Sequence, residues 1–212
     1  MEVLTHIIFY FLVIIPSATV HEVAHGFVAN LLGDDTAKRL GRLTLNPLRH
    51  IDMVGSILLP VLLMVSTGGT FMFAYAKPVP YNPYNLRSHA DEVKIALAGP
   101  AANLALALIF GMLARFALII PEISSMAVFF GIVVVANIVL AVFNLVPIPP
   151  LDGSKLLLFL LPQEQIHLRM FLNQYGIILL FMFIFWGVGF IAPIIGFFVR
   201  LILGGELSGF IF

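Results

Sequence analysis

At 212 residues, 61% of them hydrophobic and only 10% charged, with a mean hydropathy of +1.08, the chain is too apolar for a soluble globular protein. Eleven Lys and Arg balance eleven Asp and Glu, and no basic tract stands out, which excludes nucleic acid as a partner and a polybasic lipid switch. The absence of cysteine excludes disulfides, thiolate metal ligation and cysteine catalysis.

A bilayer core about 30 Å thick needs roughly 20 apolar residues per helical crossing. The chain can therefore supply several crossings and little else. The expected fold class is an all-α polytopic membrane protein, with about four to six transmembrane helices in a single membrane domain over residues 1–212. Its first partner is the lipid bilayer. The first apolar element runs from about Leu4 to Leu32 and stops at Gly33. It begins with Glu2 rather than Lys or Arg and continues without a break into HEVAH, so it reads as a retained helix and not a cleaved leader. In GRLTLNPLRHIDMVG, the alternation around RLTLN favours an extended strand. The apolar stretch Met53 to Val65 is short for a crossing and is interrupted by Pro60. AYAKPVPYNPYNL is too rich in Pro and Asn for a helix and reads as an extended loop.

A second long helix begins at Ser88, with Asp91 at capping-box spacing. A third runs from about Ser124 to Leu145 and breaks at VPIPPLDGS. A short helix covers about Ser154 to Leu161, a polar stretch reaches Gln174, and a last apolar helix covers about Tyr175 to Leu203. If Met53–Val65 re-enters rather than crosses, Lys38, Arg39, Arg42, Arg49, Lys77, Arg87, Lys94, Lys155 and Arg169 share one face, leaving Arg115 and Arg200 opposite. A full crossing would divide them six against five. The lopsided arrangement obeys the positive-inside rule, so the expectation is four long crossings plus a re-entrant hairpin, with the nine residues facing the cytoplasm. Irregular backbone at membrane depth needs shielding by protein or a wet cavity, which itself points to an internal site.

TVHEVAHGFVAN, residues 19–30, places ionisable groups within the first spanning helix. His21 and His25 are four apart, on one face and a turn from each other, so both imidazoles can reach one metal ion. Glu22 stands beside them. This is the HExxH spacing, in which two histidines hold zinc and the glutamate takes a proton from water. The bland alternative is a set of interhelical hydrogen bonds. Three ionisable groups within five residues of a spanning helix are a costly way to make such bonds. For a third ligand, His6 lies about four turns away, and His50, His89 and His167 sit in polar connections. Asp152, in PPLDGSK, is the better candidate. Standing alone it would read as a helix N-cap. The re-entrant topology delivers it to the side on which the His21 helix ends, whereas a full crossing puts it on the other.

HEVAH on the first long helix, GPAAN on the second and NLVPIPPLDG late in the chain resemble the site-2 protease family of intramembrane zinc metalloproteases, in its compact form without PDZ or CBS domains. The resemblance implies that His21, His25 and Asp152 ligate Zn2+, with Glu22 as general base and then general acid. It implies that Asn144 lies near the scissile bond and helps hold substrate or oxyanion. It also implies a prokaryotic cell-membrane setting, with the active site toward the cytoplasm and a transmembrane protein as substrate. Residues 42–46 could accept an unwound substrate by strand pairing.

Gly99 and Asn103 are four apart on one face of the second helix. Gly99 reads as a packing residue, and Asn103 as either a packing partner or a group near the metal helix. Ser66 beside Gly68 and Gly69 lacks an elbow motif and reads as a turn. Two other readings are a membrane metal-ion transporter and a proteolytically silent homologue. Glu22 separates the first of these, because a transporter has no use for a non-ligating acid next to the first histidine. No motif sets the oligomeric state, which leaves a homo-oligomer open.

Overall fold

The computed structural model describes residues 9–68, 74–162 and 164–211, and the chain divides into two compact units, Met1–Arg87 and Ser88–Phe212. Among the described residues there is no β-strand. Four helices among the described residues are long and apolar enough to cross a membrane: Phe11–Leu31, His89–Ile119, Met126–Asn144 and Ile166–Leu203. The protein is an all-α integral membrane protein.

In the first unit, a wide helical turn over Tyr10–Ile14 leads into helix α1, Ile15–Leu31. Pro16 sits in the first turn of α1, where its missing N–H costs nothing. The predicted start at Leu4, and His6 with it, lie outside the described residues. Gly33 adopts φ +106°, which ends the helix as expected. A single turn, α2 (Thr36–Arg39), follows.

The predicted strand around RLTLN does not form; residues 42–46 are irregular. Local bonds take up the backbone that a partner strand would need. The carbonyl of Thr44 faces His50 Nε2 at 2.8 Å, the hydroxyl of Thr44 accepts from the Asn46 N–H, and the Asn46 side chain accepts from the Leu48 N–H to start the turn Pro47–Arg49. His50, although in a polar connection, is buried.

A wide turn over Met53–Leu58 runs into α3, Leu59–Ser66. Asp52 caps it, accepting from the N–H groups of Val54 and Gly55 at 3.0 and 2.8 Å. Residues 53–66 rise about 21 Å at 1.5 Å per residue, short of the ~30 Å core. The chain then returns to its own starting point: the Tyr75 N–H donates to Gly55 O, the Ser56 hydroxyl donates to Tyr75 O, and the Lys77 N–H donates to His50 O. A Cβ on Gly55 would come within 2.2 Å of the Tyr75 ring, so the returning segment lies directly against the outgoing one. The segment is thus a hairpin whose two ends meet.

The second unit opens with α4, His89–Ile119. Its capping box is formed by Ser88 and Asp91, and the Ser88 N–H donates to Asp91 Oδ2 at 3.2 Å. Helix α5, Met126–Asn144, packs on α4, and α8 packs on both. Lipid is as apolar as leucine, so close approach, not hydrophobicity, must hold these helices together, and small residues at the crossings permit it. Ala107, Ala114, Ala117 and Ala127 are fully buried, and a Cβ on Gly111 would lie 2.2 Å from Ile202 Cγ2.

A turn containing a cis Pro149–Pro150 bond joins α5 to the short α6, Gly153–Leu160. The polar stretch predicted to reach Gln174 is largely helical instead. Helix α7, Ile166–Met182, takes it up and continues through a wide turn at Phe183–Gly187 into α8, Val188–Leu203. Arg115 of α4 closes the far end of α8, donating to the otherwise open carbonyls of Ile202 and Leu201 at 2.8 and 3.1 Å. The last helix, α9, is Gly205–Ile211.

Candidate metal centre

His21 and His25 are buried on one face of α1, with ring centroids 4.6 Å apart and planes nearly perpendicular at 84°. The four-residue spacing therefore produces the paired imidazoles that the helical repeat predicts. Glu22, on the next position around the helix, accepts a hydrogen bond at Oε2 from the backbone N–H of Val79 at 2.8 Å.

Val79 belongs to a strap, residues 74–85, that the first unit fastens at several points. Arg42 donates from Nη2 to the carbonyls of Lys77 and Pro78 at 2.9 and 3.3 Å. Asp34, fully buried just past the end of α1, accepts from the Asn82 N–H at 2.8 Å, the Asn85 amide at 2.7 Å, and the N–H and hydroxyl of Thr36 at 3.2 and 2.5 Å. Burial alone would raise the pKa of Asp34, but these donors outweigh it and hold the carboxyl below its ordinary value of 3.8. Gly26 completes the fit. A Cβ there would come within 2.7 Å of both Leu43 Cδ2 and Val79 Cγ1, so a glycine next to His25 lets the strap lie on the helix.

Asp152 stands at the N-cap position of α6 and makes no side-chain capping hydrogen bond there. Its loop is fixed by backbone contacts. A Cβ on Gly153 would fall 2.1 Å from Leu145 O, and one on Gly176 would fall 2.7 Å from Pro149 O. The Ser154 hydroxyl donates to Leu151 O at 2.6 Å. The glycine of LDG is thus a close-approach residue that presses the Asp152 turn onto the end of α5.

Asn144 donates from Nδ2 to Leu140 O at 2.9 Å, one turn back on its own helix. Asn103 is fully buried and donates to Asn137 Oδ1 at 2.8 Å, while Asn137 Nδ2 donates to Val133 O at 2.9 Å. The α4–α5 crossing is therefore bonded through an asparagine pair. Sequence reasoning passed over Asn137, although its seven-residue spacing from Asn144 puts both on one face of α5. Gly99 is buried in α4, as a packing residue should be. The strap contacts of Val79, Asp34 and Arg42 were also missed.

Two imidazoles on one face of a helix are donors that suit a divalent ion of borderline softness. Residues 119–185 match the model of Peptidase family M50. The chain is 40% identical over 162 residues to a protein of Bacillus subtilis (strain 168) named "Putative zinc metalloprotease YwhC", an alignment covering 70% of this chain and 67% of that one. Proteins with the same description include Rip2 of Mycolicibacterium smegmatis, 37% identical over 65% of this chain, and MJ0611 of Methanocaldococcus jannaschii, 37% identical over 48%. The chain spans about half the length of each of these two. No solved structure matches significantly. The chain belongs to peptidase family M50, the site-2 protease family that its three motifs resemble.

Proposed function

We propose that the protein is an intramembrane zinc endopeptidase of the site-2 type, cutting a peptide bond within or near a transmembrane segment of another membrane protein. In this reading, His21, His25 and Asp152 hold the zinc. When bound, the ion would act as a Lewis acid that brings the pKa of a coordinated water to about 7 and polarises the scissile carbonyl. Glu22 receives the proton of the attacking water and returns it to the leaving amine. Asn144 lies toward the substrate chain and steadies the carbonyl oxygen by hydrogen bonding.

The observation that carries this reading is the hold of the Val79 N–H on Glu22 Oε2, one position from a buried histidine pair. A bond from a backbone donor fixes the orientation of the carboxylate and leaves its second oxygen for water. A transporter path would gain nothing from a strapped, non-ligating acid.

The strong excess of Lys and Arg on one face of a four-span chain with a re-entrant hairpin favours a cytoplasmic position for the site. Relatives in bacteria and an archaeon favour a prokaryotic cell membrane. The test is cleavage of a single-span substrate in reconstituted bilayers by wild type and Glu22→Gln, with bound zinc measured in both. The expected result is unchanged zinc and a loss of cleavage of at least ~1,000-fold. A Glu22→Gln protein that keeps its zinc and still cleaves at the wild-type rate overturns the assignment.

A further inference from the structure

The second unit contains a cavity of about 320 Å3, lined by His89 and Glu92 of α4, Lys155, Leu158 and Phe159 of α6, Leu161, and Arg169 of α7. Its walls are of two kinds. Leu158, Phe159 and Leu161 are apolar, and Phe159 is 48% exposed. Lys155 and Arg169 bring two fixed positive charges against the single carboxylate of Glu92.

Two long ion pairs cross the cavity. Lys155 Nζ stands 3.9 Å from Glu92 Oε2, and His89 Nδ1 stands 3.8 Å from Glu92 Oε1, both at the outer limit of an ion pair. Arg169 donates from Nη2 to the carbonyl of Leu161, but its Nε is buried and has no hydrogen-bond partner among the described residues. Two cations therefore face one carboxylate across the cavity, an excess of positive charge that an anion would offset.

Position decides what kind of anion. Helix α4 has 31 residues and rises about 46 Å, roughly 16 Å more than a hydrocarbon core. The continuous helix Ile166–Leu203 has 38 residues and overshoots further. His89, Glu92 and Arg169 lie in the first turns of these two helices, and the charged residues there, with Asp91 and Lys94, favour that end as the overhang.

We propose that this cavity binds an anionic phospholipid, its phosphate between Lys155 and Arg169 and an acyl chain along Leu158 and Phe159. Cationic pockets between helices at the headgroup level select anionic lipids by this combination of charge and adjoining apolar wall. The site makes no use of the metal-binding residues, so it stands or falls apart from the protease reading.

The test is native mass spectrometry of the full chain extracted from vesicles of phosphatidylcholine mixed with phosphatidylglycerol. Wild type is expected to retain phosphatidylglycerol over phosphatidylcholine by about tenfold. Lys155→Gln combined with Arg169→Gln should bring that ratio to one. Leu158→Trp, which fills the cavity and leaves every charge in place, should lose the lipid at an unchanged melting temperature, and it answers the question if the charge variant fails to fold. Retention by both variants overturns the proposal. So does displacement of the lipid by glycerol phosphate at equal concentration, which would mark a free-anion site, or by an acidic soluble peptide, which would mark a peptide site.

Discussion

The Glu22 carboxylate and the Val79 backbone N–H meet at 2.8 Å, tying the acid of HEVAH to a strap 57 residues further along the chain. Hydrogen bonds to charged groups contribute about 1.5–3 kcal/mol. Val79→Pro removes the donor in a segment already flanked by Pro78 and Pro80. Cleavage is expected to fall by roughly ten- to a hundredfold, at about 1.4 kcal/mol per decade. Bound zinc should be unchanged, since neither imidazole touches the donor through this bond; steady-state cleavage with zinc analysis checks both. Equal cleavage by the variant would show that the strap does not orient Glu22.

Asp34 fastens the far end of the same strap, accepting four hydrogen bonds from Thr36, Asn82 and Asn85. Asp34→Ala should open residues 74–87 to protease and lower the melting temperature. Because the folded pKa lies below the ordinary 3.8, the contribution of this carboxylate is complete above pH 3.8 and is lost as pH falls through the folded value. The melting-temperature gap between wild type and Asp34→Ala should thus be constant from pH 7 down to about pH 5 and narrow below about pH 3.8. A gap that widens on acidification would contradict the bonding seen here.

Gly153 and Asp152 should separate position from chemistry. Gly153→Ala forces a Cβ to within 2.1 Å of Leu145 O and must displace the Asp152 turn. It is expected to lose bound zinc and activity together and to cost about 1–3 kcal/mol of stability through overpacking. Asp152→Ala should lose zinc with a smaller loss of stability, because it forces no new atom against Leu145 O. Zinc analysis and thermal melts of the two variants give the comparison.

Asn103 and Asn137 form the polar bond across α4 and α5, with both side chains fully buried. A double-mutant cycle with Asn103→Ala and Asn137→Ala should yield a coupling of about 0.6–1.7 kcal/mol, the range found for interhelical hydrogen bonds in membranes. If Asn103 serves packing alone, each single variant should keep zinc and the wild-type pH profile of cleavage. A shift of that profile in Asn103→Ala alone would give Asn103 a role at the site.

The helices and the His21–Glu22–His25 cluster were legible in the sequence for a simple reason. Helical periodicity is a local rule, and long apolar runs in a bilayer have almost no alternative to a helix. The shortness of Met53–Val65 also marked it apart from the four long spans. The strand expected at residues 42–46 fails because side chains nearby, Thr44, Asn46 and His50, take up the backbone that a strand partner would have used.

What the sequence by itself determined is therefore the membrane class, the spans and the identity of the acid and the two imidazoles, all set by spacing within one helix. Tertiary structure alone decided that a main-chain N–H at Val79 holds Glu22, that Asp34 and Arg42 anchor the segment carrying it, that Asn103 pairs with Asn137, and that Gly153 is needed for contact rather than for a turn. These depend on backbone atoms and on residues tens of positions apart. A backbone N–H is the same at every non-proline residue, so only folding shows which one is used.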